Sequence, residues 1–399
     1  MYLTTQSVSW ERFKTFFNSA SNEDFLIYGL LCPSFFLYVV AGRFPLLYAV
    51  PFIYLLWRAK QEWSKGQSYS IPWKQPLGYI IAMIWGTGLL AFLIPDSEFV
   101  FKPWVRDMVI IPGYLIPFLH SHKFEDRHIK ALFQTQCLAY FLWMDYSRFG
   151  DFFHYFFSPR SITEYDLGLF FGLFLIYFIW KKDWKYFLIN AFILLLVSKR
   201  AIYLGMVPAC GWICFHLFFP NWISFQYRKV ILMAVFLLLT VFSFVLVDSL
   251  TWYFHTFKGG NERVDFMLNG RAFSLNFIVF KIKHSDLWHI IFGHGPAQLD
   301  VLISRYRPVH WAKYYPEPSN PHNDFLKILY EYGVTGFLVF GWNMSRLFSQ
   351  NILGTALLLF TMVLFFFDNS LIHAYYNFIA LVIFYSVDNS ANEENSDQS

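Results

Sequence analysis

His322 stands in the run Ser319-Asn320-Pro321-His322-Asn323-Asp324. Asn320 predicts a helix N-cap and Pro321 suits the first helical position, which puts His322 in the first turn. The positive end of a helix disfavours imidazolium, so the ring stays neutral near pH 7 and can accept a proton, as a general base must. An interfacial polar residue that only finishes a helix would give the same spacing. Lys199 and Arg200 close the apolar run Leu194 to Val197, after Ser198. Such a pair either snorkels to lipid head groups or meets an anion. Arg271 follows Asn269-Gly270 and opens a run to Lys283 in which Phe273, Phe277, Phe280 and then His284 recur at helical spacing, as in a surface helix. Gly293-His294-Gly295-Pro296 has the composition of a turn. Glu331 lies nine residues past His322, about 13 Å deeper along a helix. An acid there needs a partner, and Lys327, one turn earlier, is the obvious one. Gly333 and Gly336 would let a neighbouring helix approach closely.

The elements that must position these residues are apolar. Charged residues are 15% of the 399 and hydrophobic residues 56%, with aromatics at 23%, where a soluble domain carries about 25% charge. That balance excludes a soluble globule and a disordered chain. The net charge of +4 is small, and no basic face suggests nucleic acid. The expectation is an all-α polytopic membrane protein, one integral domain over 1–399. About twelve spans are expected, near 25–42, 44–60, 77–94, 105–120, 128–144, 166–181, 184–198, 200–219, 230–248, 323–342, 352–368 and 371–387. The first two form a hairpin around Gly42-Arg43-Phe44-Pro45. The first 24 residues lack the order of a cleaved signal, so the first apolar helix is expected to insert uncleaved. Cys32, Cys137, Cys210 and Cys214 fall in apolar runs and read as buried thiols, too few for a disulfide framework.

Fifteen Lys and Arg of the short segments then fall on one side and six on the other. By the positive-inside rule both termini face the cytoplasm. Residues 388–399 read as a disordered acidic tail. Residues 249–321 form one large outer (periplasmic) loop between spans nine and ten, a length that is usually functional. Its eight bases, Arg305 and Arg307 among them, ask for an anionic partner. Tyr306, Trp311, Tyr314 and Tyr315 flank bases and suit sugar rings, or merely the aromatic belt of a membrane interface.

His322-Asn323, nine residues, then Gly333-x-x-Gly336 resembles the H-[NSQ]-x9-G-x-x-G pattern of the O-antigen ligase and polymerase superfamily. Ser198-Lys199-Arg200, Asn269-Gly270-Arg271 and the Gly-His-Gly-Pro turn occur in that family's order, over roughly 190–345. Lys199 departs from it, since the family often reads Ser-Arg with no extra base. The resemblance, closest to O-antigen ligases, implies a glycosyltransferase of the bacterial inner membrane. Such an enzyme takes glycan from undecaprenyl diphosphate at the periplasmic face and passes it to lipid A–core oligosaccharide. It implies Arg200, Arg271 and His322 as catalytic residues, with no metal ion and no cofactor. Lys199, Asn323, Arg305, Arg307 and Trp311 are candidate substrate-binding residues beside them. The expected partners are the lipid-linked donor, the lipid A–core acceptor and membrane lipids.

Other readings compete. A polymerase joining lipid-linked repeats shares these motifs. A protein-O-oligosaccharyltransferase usually carries a further soluble extension. A lipid-linked oligosaccharide flippase would also be polytopic, but transporters tend to show internal repeats and midplane charge, and neither is evident in the sequence. Asp96-Ser97-Glu98 is an acid-x-acid triplet that could hold a divalent cation, though three-residue matches are common by chance. The outer-loop histidines His255, His284, His289, His294 and His310 form no metal-ligand pattern and read as solvated or hydrogen-bonding.

Overall fold

The computed structural model describes residues 21–41, 46–65, 72–91, 93, 101–120, 122–143, 168–197, 200–219, 223–256, 271–306, 323–367 and 374–387. All regular structure among them is helical. In chain order the helices are α1 (22–41), α2 (Leu46–Ser64), α3 (Pro76–Ala91), α4 (101–119), α5 (Asp126–Trp143), α6 (Leu169–Lys181), α7 (Trp184–Val197) and α8 (Arg200–Phe218). Then come α9 (Phe225–Thr256), α10 (Arg271–Lys283), α11 (Leu287–Phe292), α12 (Gln298–Tyr306), α13 (Asp324–Phe348), α14 (Ile352–Phe367) and α15 (Ala374–Phe384).

A helix therefore lies at each of the twelve apolar runs, because an apolar run away from water can satisfy its backbone only internally. By length and composition two stretches could cross a membrane unaided, Ala201–Phe218 and Phe225–Ser249. Five further apolar helices are shorter. These apolar helices point to a membrane protein. The winding is irregular where proline removes a donor. Thus α4, which holds Pro103, Pro112 and Pro117, passes from α to π over Arg106–Ile110, back to α, and ends as a 3-10 turn over Ile116–Leu119. α1 winds as a π-helix over Phe25–Leu31.

One apolar core joins α1 to α9 with α13, α14 and α15, and aromatic side chains fill much of it. Phe118, Phe170, Phe171, Phe174 and Tyr376 are fully buried. Glycines set the closest approaches: a Cβ at Gly172 or Gly205 would strike the Phe360 ring of α14. A second, smaller core of Val247, Leu275, Ile278, Val279, Leu299, Ile303, Leu326 and Tyr330 binds α10 and α12 to the ends of α9 and α13.

Within 249–321 the described residues are helical in large part: α9 runs on to Thr256, and α10, α11 and α12 follow. The expected surface helix from Ala272 is α10, starting at Arg271. Cys214 is exposed, and Cys32, Cys137 and Cys210 are only partly buried, all as free thiols; four buried thiols are thus not what the packing gives, because Cys214 faces outward from α8. The Gly42–Pro45 hairpin, Asp96, Glu98, His310 and the tail 388–399 lie outside the described residues.

Candidate functional site

The starts of three helices carry the candidate chemistry. Arg200 is the first residue of α8 and Arg271 the first of α10; their side chains, with all of Lys199, Arg307, Trp311 and His322, lie outside the described residues. Arg305 lies exposed on α12. The helix holding the His-Asn motif begins later than the sequence suggests. Asn323, not Asn320, is the N-cap: its backbone is extended (φ −155°, ψ 102°) and its side chain accepts from Leu326 N at 3.0 Å. The described helix thus opens at Asp324, directly after the motif. A cap must leave helical φ/ψ to turn its oxygen onto the free N–H groups, and Asn323 does so here.

Asn323 is 2% exposed. Its Nδ2 donates to Ser243 Oγ in α9 (2.9 Å) and to the Phe366 carbonyl at the end of α14 (3.4 Å). These bonds tie the start of α13 to two neighbouring helices. α8 joins this group through α14, since Gly205 packs on Phe360. α10 joins through the smaller core, where Leu275, one turn past Arg271, and Leu326, one turn past His322, both take part. The backbone thus makes neighbours of the elements that begin at Arg200, Arg271 and Asn323.

Gly333 and Gly336 do different work. Gly333 has φ +64° and ψ −175°, so α13 is two helices meeting at a break. This backbone region is essentially open to glycine alone. The break frees the Tyr330 and Glu331 carbonyls, and the Gly-His-Gly turn uses them: His294 N donates to Tyr330 O at 3.0 Å and Gly295 N to Glu331 O at 2.9 Å. Gly293, at φ +82°, faces Gly333 so closely that a Cβ on either would strike the other's backbone. What Gly333 admits is a loop, where sequence suggested a helix. Gly336 does face a helix, through Met83 of α3.

Beside the turn, His294 is stacked between His289 and Tyr330, with ring centroids 4.2 Å from each. Ser285 Oγ donates to Lys281 O (2.7 Å), so it accepts from His294 Nε2 at 2.9 Å. The serine proton points away from the histidine, which is wrong for a nucleophile and its base. Burial, with His289 beside it, pulls the His294 imidazole down to about 4, so the ring is neutral at pH 7. His289 in turn bonds Asp286, the cap of α11.

Below the cap lies a buried ionic cluster. Lys327 Nζ reaches Glu331 Oε1 (2.7 Å), Asp107 Oδ2 (3.3 Å) and Asp300 Oδ2 (3.4 Å). Arg106 bonds Asp107 (2.5 Å) and Asp300 (2.6 Å). The expected Lys327–Glu331 pair is present, but it is part of a five-residue network joining α4, α12 and α13. Burial alone would raise the Asp300 carboxyl, yet Lys327 and Arg106 hold it below the usual range. Asp107, Asp300 and Glu331 bring carboxylate oxygens within 4.8 Å of one another, as a cation site would. The Lys327 ammonium bonds all three, so a fixed cation already fills that place. Arg106, Asp107 and Asp300 escaped the sequence reading. An Arg-Asp pair inside an apolar run is a usable signal, because charge at that depth needs partners.

With this geometry in place, residues 185–341 match the family model described as O-antigen ligase. The stretch is less than half of the chain, and it contains every candidate catalytic and substrate-binding residue named above. It bears out the resemblance expected from the motifs. No curated protein and no solved structure matches the chain.

Proposed function

Taking that family match as premise, we propose that the chain is an O-antigen ligase, moving glycan from undecaprenyl diphosphate to lipid A–core oligosaccharide at the periplasmic face of the inner membrane. The carrying observation is that one matched stretch, 185–341, holds Lys199, Arg200, Arg271, Arg305, Arg307, Trp311, His322 and Asn323 together. The break at Gly333, docked on the Gly-His-Gly turn, supports it by giving the motif glycines a physical role.

In this reading His322 takes the proton of the acceptor hydroxyl as its oxygen attacks the anomeric carbon. The bond from that carbon to the diphosphate oxygen breaks, and its electron pair leaves with the lipid diphosphate. Arg200 and Arg271 stabilise the growing charge; a permanently charged planar fork fits phosphate oxygens. A single displacement inverts the anomeric configuration, and a retained configuration in the product rules out that step.

Deleting the gene and running lipopolysaccharide on a gel tests the assignment. A ligase deletion leaves bare core while lipid-linked polymer accumulates; a polymerase deletion still caps core with one repeat; unchanged lipopolysaccharide overturns both. His322→Ala is expected to lower transfer by roughly 100-fold or more with normal membrane insertion. Arg200→Ala and Arg271→Ala should weaken use of the donor. Wild-type transfer by all three variants would remove these residues from the site.

A further inference from the structure

The end of the α8–α9 hairpin remote from Arg200 gathers buried polar nitrogens that have no partner among the described residues. His216 is 6% and Arg228 7% exposed. Both ring nitrogens of His216, the Nε of Arg228 and the Nε1 of Trp212 are buried without a hydrogen-bond partner among the described residues. Trp212 and His216 stand one turn apart on α8 with ring centroids 6.0 Å apart. Arg228 lies within electrostatic reach of His216. It sits in the first turn of α9, where Arg228 N donates to Ser224 O and the helix end adds partial positive charge.

An arginine cannot shed its charge, and a buried unpaired charge is costly. The described residues around this end supply no carboxylate. No Asp or Glu occurs between Asp183 and Asp248, nor between Glu331 and Asp368. This covers the hairpin, α14 and the second half of α13; α6, which also packs on α8, has none either. Lys229 is already used, its Nζ bonded to Gln226 and set over the Trp342 ring. The missing partner is therefore an anion that the described residues do not provide. Its remaining chemistry is written beside it: Leu217, Phe218, Tyr227 and Val230 are large, apolar or amphipathic, and exposed. A soluble phosphate has no use for that shelf, and an acyl chain does.

We propose that this end of the α8–α9 hairpin binds an anionic phospholipid, whose headgroup oxygens accept from Arg228, Trp212 and His216 and whose chains lie along the exposed shelf. The site is at the opposite end of α8 from Arg200 and does not depend on the glycan-transfer reading. It holds lipid as a fixed structural partner that neutralises Arg228.

Native mass spectrometry of the full-length protein in detergent tests this, with phosphatidylglycerol, phosphatidylcholine and inorganic phosphate as probes. Wild-type protein is expected to retain phosphatidylglycerol at least roughly tenfold more tightly than phosphatidylcholine, and Arg228→Gln to lose about that factor. Trp212→Phe removes one donor while keeping a large apolar ring, and should weaken retention severalfold; it decides the matter should Arg228→Gln fail to fold. Equal affinity of the wild type for both lipids overturns the proposal, as does wild-type retention by Trp212→Phe and Arg228→Gln. Displacement of the lipid by inorganic phosphate alone also overturns it, in favour of a soluble anion.

Discussion

Gly333 and Gly293 face each other across a contact that leaves no room for a Cβ on either. Gly333→Ala must therefore move the turn or flip its own backbone from φ +64°, at a cost of about 1–3 kcal/mol for the conformation alone. The expected outcome is a lower melting temperature in detergent and reduced glycan transfer with unchanged membrane insertion; an alanine variant as stable and active as wild type would contradict it. His294 makes the same contact sensitive to acid. Its folded value of about 4 lies below the ordinary 6.5, so the unfolded chain binds the proton more readily. The stabilisation is present above about 6.5 and is lost as pH falls toward the folded value. Limited proteolysis between α10 and α13 should therefore speed up at pH 5 relative to pH 7. His294→Phe, which cannot titrate, should flatten that difference. The positions of these residues were legible in the spacing. Their partners were not, because nothing in a one-dimensional pattern says that a G-x-x-G accepts a loop at its first glycine and a helix at its second.

At the scale of elements, the starts of helices do most of the positioning. Asn323 holds the head of α13 against α9 and α14 with its one side-chain amide, and the ionic cluster one turn below fixes α4 and α12 to the same helix. With every group ionised that cluster holds three carboxylates against Arg106 and Lys327, a net charge of −1. Lys327→Met leaves a buried charge of −2 and should cost roughly 3–5 kcal/mol, read as loss of folded protein after membrane extraction. Lys327→Met combined with Glu331→Gln returns the charge to −1 and should recover part of that loss; a double variant no better than the single one would show that charge balance is not what the cluster supplies. Sequence gave the helical pair Lys327–Glu331 by its spacing of four. It could not give Asp300, which reaches the cluster from another element.

For the whole molecule, each of the twelve expected apolar runs holds a helix among the described residues, and the excess of basic residues on one side predicts a topology. A fluorescent protein fused after Ser399 should fold and fluoresce, and a phosphatase fused there should be inactive, if the C-terminus is cytoplasmic; the reverse pattern would turn the site to the other face. The helical class, the membrane solvent and the order of the motifs were determined by sequence alone, because composition, periodicity and turn residues act locally. Tertiary structure alone decided that Asn323 is a buried cap, that Gly333 breaks its helix to seat the Gly-His-Gly turn, and that Lys327 answers three acids. Those outcomes depend on backbones and charges far apart in the chain meeting in a medium that leaves polar groups no other partner.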